Sequence, residues 1–451
     1  MTRYLFTTLP TNDLGLLTRS LPIARELSAV GHKVIFCSPA KAPRRLIADA
    51  GFENLVPRHP IYELIDVDKT LGGIVRFLIS RRSDGRNGTL LQFLKKVVPA
   101  LPTKYPTKSE DIWDMDHAGA TMGMLNEGFV RANCEAFKEL IESCDANIIV
   151  DFWNPFAVLS ARAIKKPIVT VIQANAHPDS GGFIWWRTRP PDVPTPVSVM
   201  NRVLADYGLP PITRLADLSI GDLTLVVGAP ETDPLPQTAD VRYVGAILWQ
   251  SENATLPEWI NALSGSKPVV WVYSGNPQYS SSDDTLNSSV VLHACKEALA
   301  EEDLHVVLTT GYHPLPKSLL PLPANFRHEA YVPGLQMAQR ADLLIHHGGY
   351  SSCQTGLYAG KPAVVLPTYS ERLSNARRME AAGAAQIVLV KYVDGRKQVS
   401  SEELRAAVKR VIADPMFCAN ARHLGEKLRA YGGPLRAARL IEEFSQQAAA
   451  S

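Results

Sequence analysis

One short stretch of the chain combines residue types that bind phosphate. Two histidines, two glycines and two serines follow the apolar run at 343–345: His346, His347, Gly348, Gly349, Ser351 and Ser352. Glycines let the backbone approach a ligand closely. The helix that the pattern predicts up to residue 359 would present unpaired N–H groups and the positive end of its dipole at this turn. A histidine beside the turn can donate to the same oxygens, so the stretch predicts a strand, turn and helix that bind a diphosphate.

A second set of polar residues follows the next predicted strand, at 363–366. Glu371 and Arg372 begin the turn after it, and Asn375 lies one helical turn further on. The carboxyl ends of parallel strands meet at one edge of a sheet, so both sets of side chains are expected at the same edge.

The order of these motifs resembles a known family. The runs HGGYSS, GLYAGKP and NARRMEAAGA, with an acidic residue between the last two, are similar to the donor-binding signature of family-1 nucleotide-sugar glycosyltransferases, including bacterial macrolide-type members. A glycine-rich turn in an ordinary α/β domain would account for HGG alone. The resemblance implies the α/β fold called GT-B, in which two doubly wound Rossmann-like domains face each other across the active site.

The resemblance also implies a set of donor-binding residues. Mapped onto this sequence they are Gly275, Asn276, Val332, His347, Gly348, Gly349, Ser351, Ser352, Thr355, Glu371 and Arg372. Thr355 stands where uridine-type members carry a ribose-binding glutamate, and it resembles the members that use thymidine-diphosphate deoxysugars. Arg372 replaces the usual glutamine, and its planar set of donors suits a carboxylate or diphosphate oxygens. The nucleotide therefore stays open between UDP and dTDP.

The amino-terminal segment carries the most informative departure from the family. A strand at 4–7, a helix at 17–30 and a strand at 32–36 predict the start of a doubly wound domain, and PIARELSAVGHKVIF is similar to the family's opening segment. There the loop before the helix carries Gly-His, whose histidine is the general base, but this chain has Gly15 and Leu16. Leucine cannot accept a proton. Asp13 is the nearest titratable residue, either as a catalytic group or as a helix cap.

A second carboxylate, Asp151, matches the pattern of the resembling family better than Asp13 does. Asp151 ends an apolar strand at 147–150, and it corresponds to the aspartate that orients the catalytic histidine in the resembling enzymes. Without that histidine we expect Asp151 to be the base, with Asp13 as second candidate. The structural alternative is that Asp151 caps the helix that follows.

Acidic pairs of the kind that hold a metal on a donor diphosphate occur twice, at Asp66 and Asp68 and at Asp114 and Asp116. We interpret both as solvated residues, because the donor already has a complete predicted site. Transfer is therefore expected to need no metal and no cofactor, with the nucleotide sugar as co-substrate.

Composition defines the broad class. The chain has 451 residues, 46% of them hydrophobic, and a formal net charge of +2, which indicates a globular protein without a nucleic-acid-binding surface. The six cysteines form no CxxC pair, so buried reduced thiols are expected. No signal peptide or membrane span is apparent, which predicts a cytoplasmic protein whose partners are a nucleotide sugar and a small acceptor. A homodimer is compatible with the sequence.

Four segments are predicted. They are an acceptor domain at 1–228 whose last strand is 223–227, a linker at 229–250, a donor domain at 251–430 with a short strand at 330–333, and a last helix at 431–451 that crosses back to the first domain. Trp185 and Trp186 could flank a flat acceptor or pack between the domains.

The function that follows is inverting transfer of a sugar to a small aromatic or polycyclic acceptor. A catalytically silent homologue that helps a partner enzyme is the alternative, motivated by the missing histidine. A nucleotide-sugar epimerase of related fold is a third hypothesis.

Overall fold

The structure is a computed structural model of the chain. It describes residues 1–11, 14–67, 71–83, 90–108, 111–250, 255–263, 265–275, 289–311, 314–394 and 396–450. Asp13, Asp68 and Asn276 lie outside these ranges, and the predictions made for them stay predictions.

The amino-terminal half is built on a parallel sheet of seven strands in its described part, in the order β3-β2-β1-β4-β5-β6-β7. The strands are β1 (Arg3–Thr8), β2 (Lys33–Cys37), β3 (Glu53–Leu55), β4 (Ile148–Phe152), β5 (Ile168–Ile172), β6 (Leu223–Val227) and β7 (Arg242–Gly245).

The carboxyl-terminal half repeats this plan with six parallel strands among its described residues, in the order β10-β9-β8-β11-β12-β13. The strands are β8 (Val269–Tyr273), β9 (His305–Thr309), β10 (Phe326–Glu329), β11 (Leu343–His346), β12 (Ala363–Val365) and β13 (Ala385–Ile387), and a hairpin follows with β14 (Lys391–Val393) and β15 (Arg396–Gln398).

Helices cover both faces of each sheet. They are α1 (Gly15–Ala29), α2 (Lys41–Asp49), α3 (Leu71–Ser83), α4 (Leu90–Val97), α5 (Met115–Thr121), α6 (Glu127–Ser143), α7 (Pro155–Ala163), α8 (Val197–Asp206), α9 (Glu258–Asn261), α10 (Ser289–Leu299), α11 (Gly334–Arg340), α12 (Tyr350–Tyr358), α13 (Ser370–Ala381), α14 (Ser401–Ala413), α15 (Pro415–Ala430) and α16 (Gly433–Ala450), with short 3-10 turns at 60–64, 98–100, 174–176, 215–219 and 317–319.

The strand sequences explain this layering. The central strands β4 and β5 read IIVDF and IVTVI, and every residue in them is buried. Strands covered by helices on both faces are near-continuous apolar runs rather than alternating ones. Two separate apolar cores accordingly lie on the two sides of each sheet.

Each sheet has one point where the strand order reverses, between β1 and β4 in the first and between β8 and β11 in the second. In open parallel sheets, ligands bind outside the carboxyl ends of the strands at this point. Asp151 is the last residue but one of β4 at the first reversal, while Gly275 and His347 follow β8 and β11 at the second. The topology therefore places the two groups of predicted site residues at the ligand-binding edges of the two sheets.

The last helix returns to the first domain, as predicted. Ala437, Leu440 and Ile441 of α16 lie in the same core as Tyr4 and other residues of the first sheet. The Tyr4 hydroxyl donates to Ser445 Oγ at 3.0 Å.

The predicted domain limits need one correction. The strand at 223–227 is not the last of the first sheet, because β7 pairs with it in parallel register. Part of the predicted linker, 229–250, therefore belongs to the first sheet.

The strand predicted at 330–333 is also wrong, since the strand in this region is β10 and residues 331–333 have no regular structure.

The cysteine prediction is confirmed for the thiol state, because all six cysteines are free and five are buried. None of the helices in the described part of the chain is both long enough and apolar enough to cross a lipid bilayer.

Candidate active site

The imidazole of His347 lies between two glycines. A Cβ atom added at Gly275 would come 2.8 Å from its Cε1, and one added at Gly349 would come 2.5 Å from its Nε2. Both distances are shorter than real Cβ contacts, so only glycine fits on either side of the ring. Gly275 also has φ +78°, a conformation that side chains rarely adopt. The two glycines therefore fix where the histidine ring lies.

His347 is neutral in this position. Its side chain is buried, and burial together with the nearby Arg372 guanidinium holds its pKa well below the usual value. Its Nδ1 has no hydrogen-bond partner among the described residues. A buried polar nitrogen without a partner is uncommon and costs free energy. His347 is thus available to make one neutral hydrogen bond to a ligand, and it does not act as a cation.

The amino end of α12 is open to a ligand. Gly349 is its N-cap residue, and no side chain caps this end. The first amides of a helix need partners outside the helix. The hydroxyl of Thr355 donates to the Ser351 carbonyl at 2.8 Å, within the helix. The N–H groups near Gly349, Ser351 and Ser352 are the kind of cradle that a diphosphate occupies.

Glu371 and Arg372 lie beside this turn at the start of α13. Glu371 Oε1 accepts from Asn375 Nδ2 at 2.8 Å, and the same amide nitrogen donates to the Gly348 carbonyl at 3.1 Å. Arg372 Nη1 donates to Thr368 Oγ1 at 2.5 Å. A Cβ at Gly348 would come 2.7 Å from the Arg372 carbonyl, so the turn and α13 are in direct contact. Their arrangement brings one carboxylate and one guanidinium to the predicted donor site.

Asp151 is buried at the carboxyl end of β4, with 1% of its surface exposed. Its Oδ1 accepts from Thr7 Oγ1 at 2.6 Å and its Oδ2 from the Asn154 N–H at 2.9 Å. Burial raises its pKa to about 7 in spite of these bonds. A carboxylate with such a pKa is a competent base at neutral pH.

The alternative role for Asp151 as a helix cap is wrong, because Asn154 caps α7 through its side chain. Trp153, between the two, has φ +55°. This conformation is uncommon for a tryptophan and turns the chain sharply after the strand.

Sequence reasoning missed the side chains that join the two domains. Arg19 of α1 lies 5.2 Å from the ring of Tyr350 in α12. With its amide turned so that both groups meet complementary partners, the Gln173 side chain accepts from Arg19 Nη1 at 2.6 Å and donates to Glu371 Oε1 at 3.2 Å. The Tyr350 hydroxyl donates to the Val227 carbonyl at 2.6 Å. These contacts place the carboxyl ends of the two sheets opposite each other.

A buried ion pair strengthens the same junction. Asp233 follows β6 and lies 3.6 Å from the Arg378 guanidinium of α13, with 1% and 11% of their side chains exposed. The Asp233 carboxyl also accepts from Thr232 Oγ1 at 2.8 Å. Burial raises the pKa of Asp233, and Arg378 opposes that shift.

Replacing Arg378 by methionine is expected to destabilise the protein. The substitution keeps the length of the side chain but leaves Asp233 buried without its nearest cation, which costs about 3–5 kcal/mol for buried pairs. The midpoint of thermal unfolding should fall by several degrees. The exposed pair Arg242 and Asp240 is the control. Arg242→Met should change the midpoint little, and equal effects of the two variants would contradict this role.

The remaining predicted positions have structural partners. Val332 is buried in a core of the second domain. Asp114 caps α5, accepting from the His117 N–H at 2.9 Å. Asp116 is not a solvated residue, since its oxygens accept from the Leu215 N–H at 2.6 Å and from Thr195 Oγ1 at 2.8 Å. No group of three or more potential metal-binding side chains occurs within the described ranges.

The two tryptophans have different surroundings. The Arg377 guanidinium of the second domain lies 4.3 Å from the ring centre of Trp186, whereas Trp185 is 43% exposed. Trp186 therefore packs between the domains, which was one of the two alternatives.

Comparison with known proteins agrees with this architecture. Residues 294–444 match the model of the family "Erythromycin biosynthesis protein CIII-like, C-terminal domain". A protein of Bacillus subtilis called uncharacterized UDP-glucosyltransferase YojK is 28% identical over 51% of this chain and 54% of its own length. The 4'-demethylrebeccamycin synthase of Lentzea aerocolonigenes is 32% identical over 45% of both chains. The chain thus aligns with about half the length of these relatives.

The likeness of fold extends over the whole chain. The crystal structure of CalG4, the calicheamicin glycosyltransferase, superposes with a TM-score of 0.67 and 20% identity, over 98% of both chains. The fold implied by the resemblance is confirmed: this chain has the GT-B fold, and the family model matches residues 294–444, mainly in its carboxyl-terminal half.

Proposed function

We propose that the protein is a glycosyltransferase that moves a sugar from UDP or dTDP to a small aromatic or polycyclic acceptor, with inversion and without a metal. The main support for the proposal is that the two strand-order reversals, one in each sheet, hold complementary groups. One ends in a buried carboxyl with a raised pKa, and the other in a neutral histidine beside an open helix end. A base facing a diphosphate cradle is the arrangement that this reaction needs. The names of the relatives, both sugar-transfer or natural-product enzymes, support it.

Each group has one role in the reaction. Asp151 takes the proton from the acceptor while the acceptor's nucleophilic atom bonds to the anomeric carbon. The bond from that carbon to the phosphate oxygen breaks, and its electron pair leaves with the diphosphate. The amides at the amino end of α12, the His347 N–H and the Arg372 guanidinium stabilise the charge that develops there. Glu371 is expected to hold sugar hydroxyls.

The burial of Asp151 favours an acidic nucleophile. With a pKa of about 7, the Asp151 carboxylate is a weak base. A phenol or an electron-rich ring carbon therefore suits it better than an aliphatic alcohol, whose proton is much harder to remove. Thr355, whose hydroxyl bonds within the helix, is proposed to contact the nucleotide sugar ring. It offers fewer acceptor sites than a carboxylate, which favours the deoxyribose of dTDP.

Activity is expected to rise with pH through about 7. The base must be deprotonated to act, so kcat/KM should be low below that pH and reach a plateau above it. His347 stays neutral across this range, because its pKa is lowered, and adds no second transition. The measurement is kcat/KM with a phenolic acceptor across neutral pH, and a flat profile would contradict a carboxyl base at Asp151.

Purified protein tests the proposal without other components. Incubation with UDP-glucose or dTDP-glucose and a panel of phenolic acceptors should give glycosylated product. A helper of a partner enzyme would give none alone, and an epimerase would convert the donor without acceptor.

A further inference from the structure

Large apolar residues are exposed together on one part of the first domain, around α3 and α4. On α3, Ile74, Val75 and Ile79 are exposed, with Ile79 at 64%. On α4, Leu91 and Leu94 are exposed, with Leu91 at 62%, and Val98 directly after the helix is exposed as well. Leu91 and Leu94 are three positions apart and therefore lie on one side of α4. Other exposed large apolar side chains are scattered through the described chain.

The two helices form one surface. The rings of Phe77 on α3 and Phe93 on α4 lie 5.9 Å apart. Phe93 and Val97 are buried on the inner side of α4, at 4% and 3% exposure. The protein therefore buries one side of α4 and leaves an equally apolar side uncovered. Large apolar side chains exposed together in this way indicate an interaction site. We call it the α3–α4 surface.

The same region is strongly basic. Residues 71–108 contain eight lysines and arginines and one aspartate, whereas the whole chain has a net charge of only +2. Among the residues whose side chains the structure describes, Arg76, Lys95, Lys96, Lys104 and Lys108 lie here, without any acidic residue at 72–80 or 91–108. The rest of the chain is therefore net negative, and the basic residues are concentrated in the segment of sequence that carries the exposed apolar side chains.

We propose that the α3–α4 surface docks the protein on an anionic lipid bilayer. Interfacial binding combines apolar side chains that enter the headgroup region with lysines and arginines that pair with anionic lipids. Docking of this kind needs no membrane span. A second copy of the chain is a poor occupant, since a two-fold contact would bring this positive region against itself.

The α3–α4 surface is connected through the chain to the cleft between the domains. The chain that follows it runs to the domain junction: Tyr105 packs its ring against His117 at 6.2 Å, and the Ile112 carbonyl accepts from Ser370 Oγ of the second domain at 2.6 Å. Docking would thus hold one side of the interdomain cleft near the lipid. A lipophilic acceptor dissolved in the bilayer could then enter without crossing water. The docking itself does not depend on the proposed reaction.

Vesicle sedimentation with the full chain tests the proposal. The protein should sediment with vesicles of equal parts phosphatidylglycerol and phosphatidylcholine, bind pure phosphatidylcholine more weakly, and lose binding to anionic vesicles as salt rises. Lys95→Gln with Lys96→Gln should lower the partition coefficient on anionic vesicles by roughly tenfold or more, from about 1 kcal/mol per basic residue. Ile79→Ser with Leu91→Ser should lower it on both kinds of vesicle.

Matched control variants come from α15 and α16. Met416 and Leu435 are also exposed apolar residues, and Arg436 and Arg439 are exposed cations. Met416→Ser with Leu435→Ser, and Arg436→Gln with Arg439→Gln, should bind as the unchanged protein does. Circular dichroism checks that every variant is folded. Equal binding by all variants, or no binding to anionic vesicles, would overturn the proposal. So would a dimer in solution that only the α3–α4 variants lose, since a second copy would then cover the surface.

Discussion

Asp151→Asn is expected to lower kcat by roughly 100- to 10,000-fold, the usual contribution of a general base. The amide has nearly the same shape as the carboxyl but accepts no proton, so acceptor and donor binding should change little. The loss should therefore appear in kcat rather than in KM. Steady-state kinetics with a phenolic acceptor, at a pH above 7 where the native carboxyl is ionised, measures the effect.

Asp116→Asn is the matched control for this substitution. Asp116 is also a largely buried carboxyl of the first domain with two hydrogen-bond partners, and burial raises its pKa as well. It lies at the start of α5, and its partners are Thr195 and Leu215 rather than residues of β1 or β4. Its asparagine variant should retain activity once folded. Equal losses in the two variants would show that Asp151 contributes only to structure, and full turnover by Asp151→Asn would remove it as the base.

Gly349→Ala should weaken donor binding by roughly 10- to 100-fold. The new methyl group would lie 2.5 Å from His347 Nε2, so the imidazole must leave its place and its bond to the diphosphate is lost. Hydrogen bonds to charged groups contribute about 1.5–3 kcal/mol. The backbone itself accepts alanine, since Gly349 has φ −59°. Calorimetric titration with UDP and with dTDP measures the change.

Gly356→Ala in the same helix is the control for that variant. Its Cβ would come 3.2 Å from the end of the Leu344 side chain and 3.6 Å from the Lys361 carbonyl oxygen, the latter an ordinary contact, and alanine favours a helix interior. It should bind nucleotide as the unchanged protein does. Unchanged binding by Gly349→Ala would mean that His347 does not contact the donor.

The sequence predicted the local geometry of the site well. The apolar run before His347 and the glycines after it specify a strand, a turn and a helix through residues adjacent in the chain, and β11 and α12 have this form. Asp151 was placed correctly at a strand end for the same reason. The alternation of strand and helix at the amino terminus predicted the start of a doubly wound domain, and the family resemblance implied the pair of such domains.

The contacts between the domains could not be predicted in this way. Arg19, Gln173 and Glu371 meet although about 150 to 200 residues separate each from the next, and no local pattern indicates such a meeting. β7 was missed because it is a short strand at the sheet edge, half of it solvent-accessible, in a segment rich in proline and polar residues. The neutral state of His347 likewise follows from burial, which only the folded chain defines.

The central claim is that the diphosphate binds where β11 passes into α12. A crystal structure with UDP or dTDP bound tests it most directly. We expect phosphate oxygens about 3 Å from the backbone nitrogens near Gly349 to Ser352 and from a nitrogen of His347. A diphosphate bound anywhere else in the cleft, with the amino end of α12 turned away from it, would contradict this site.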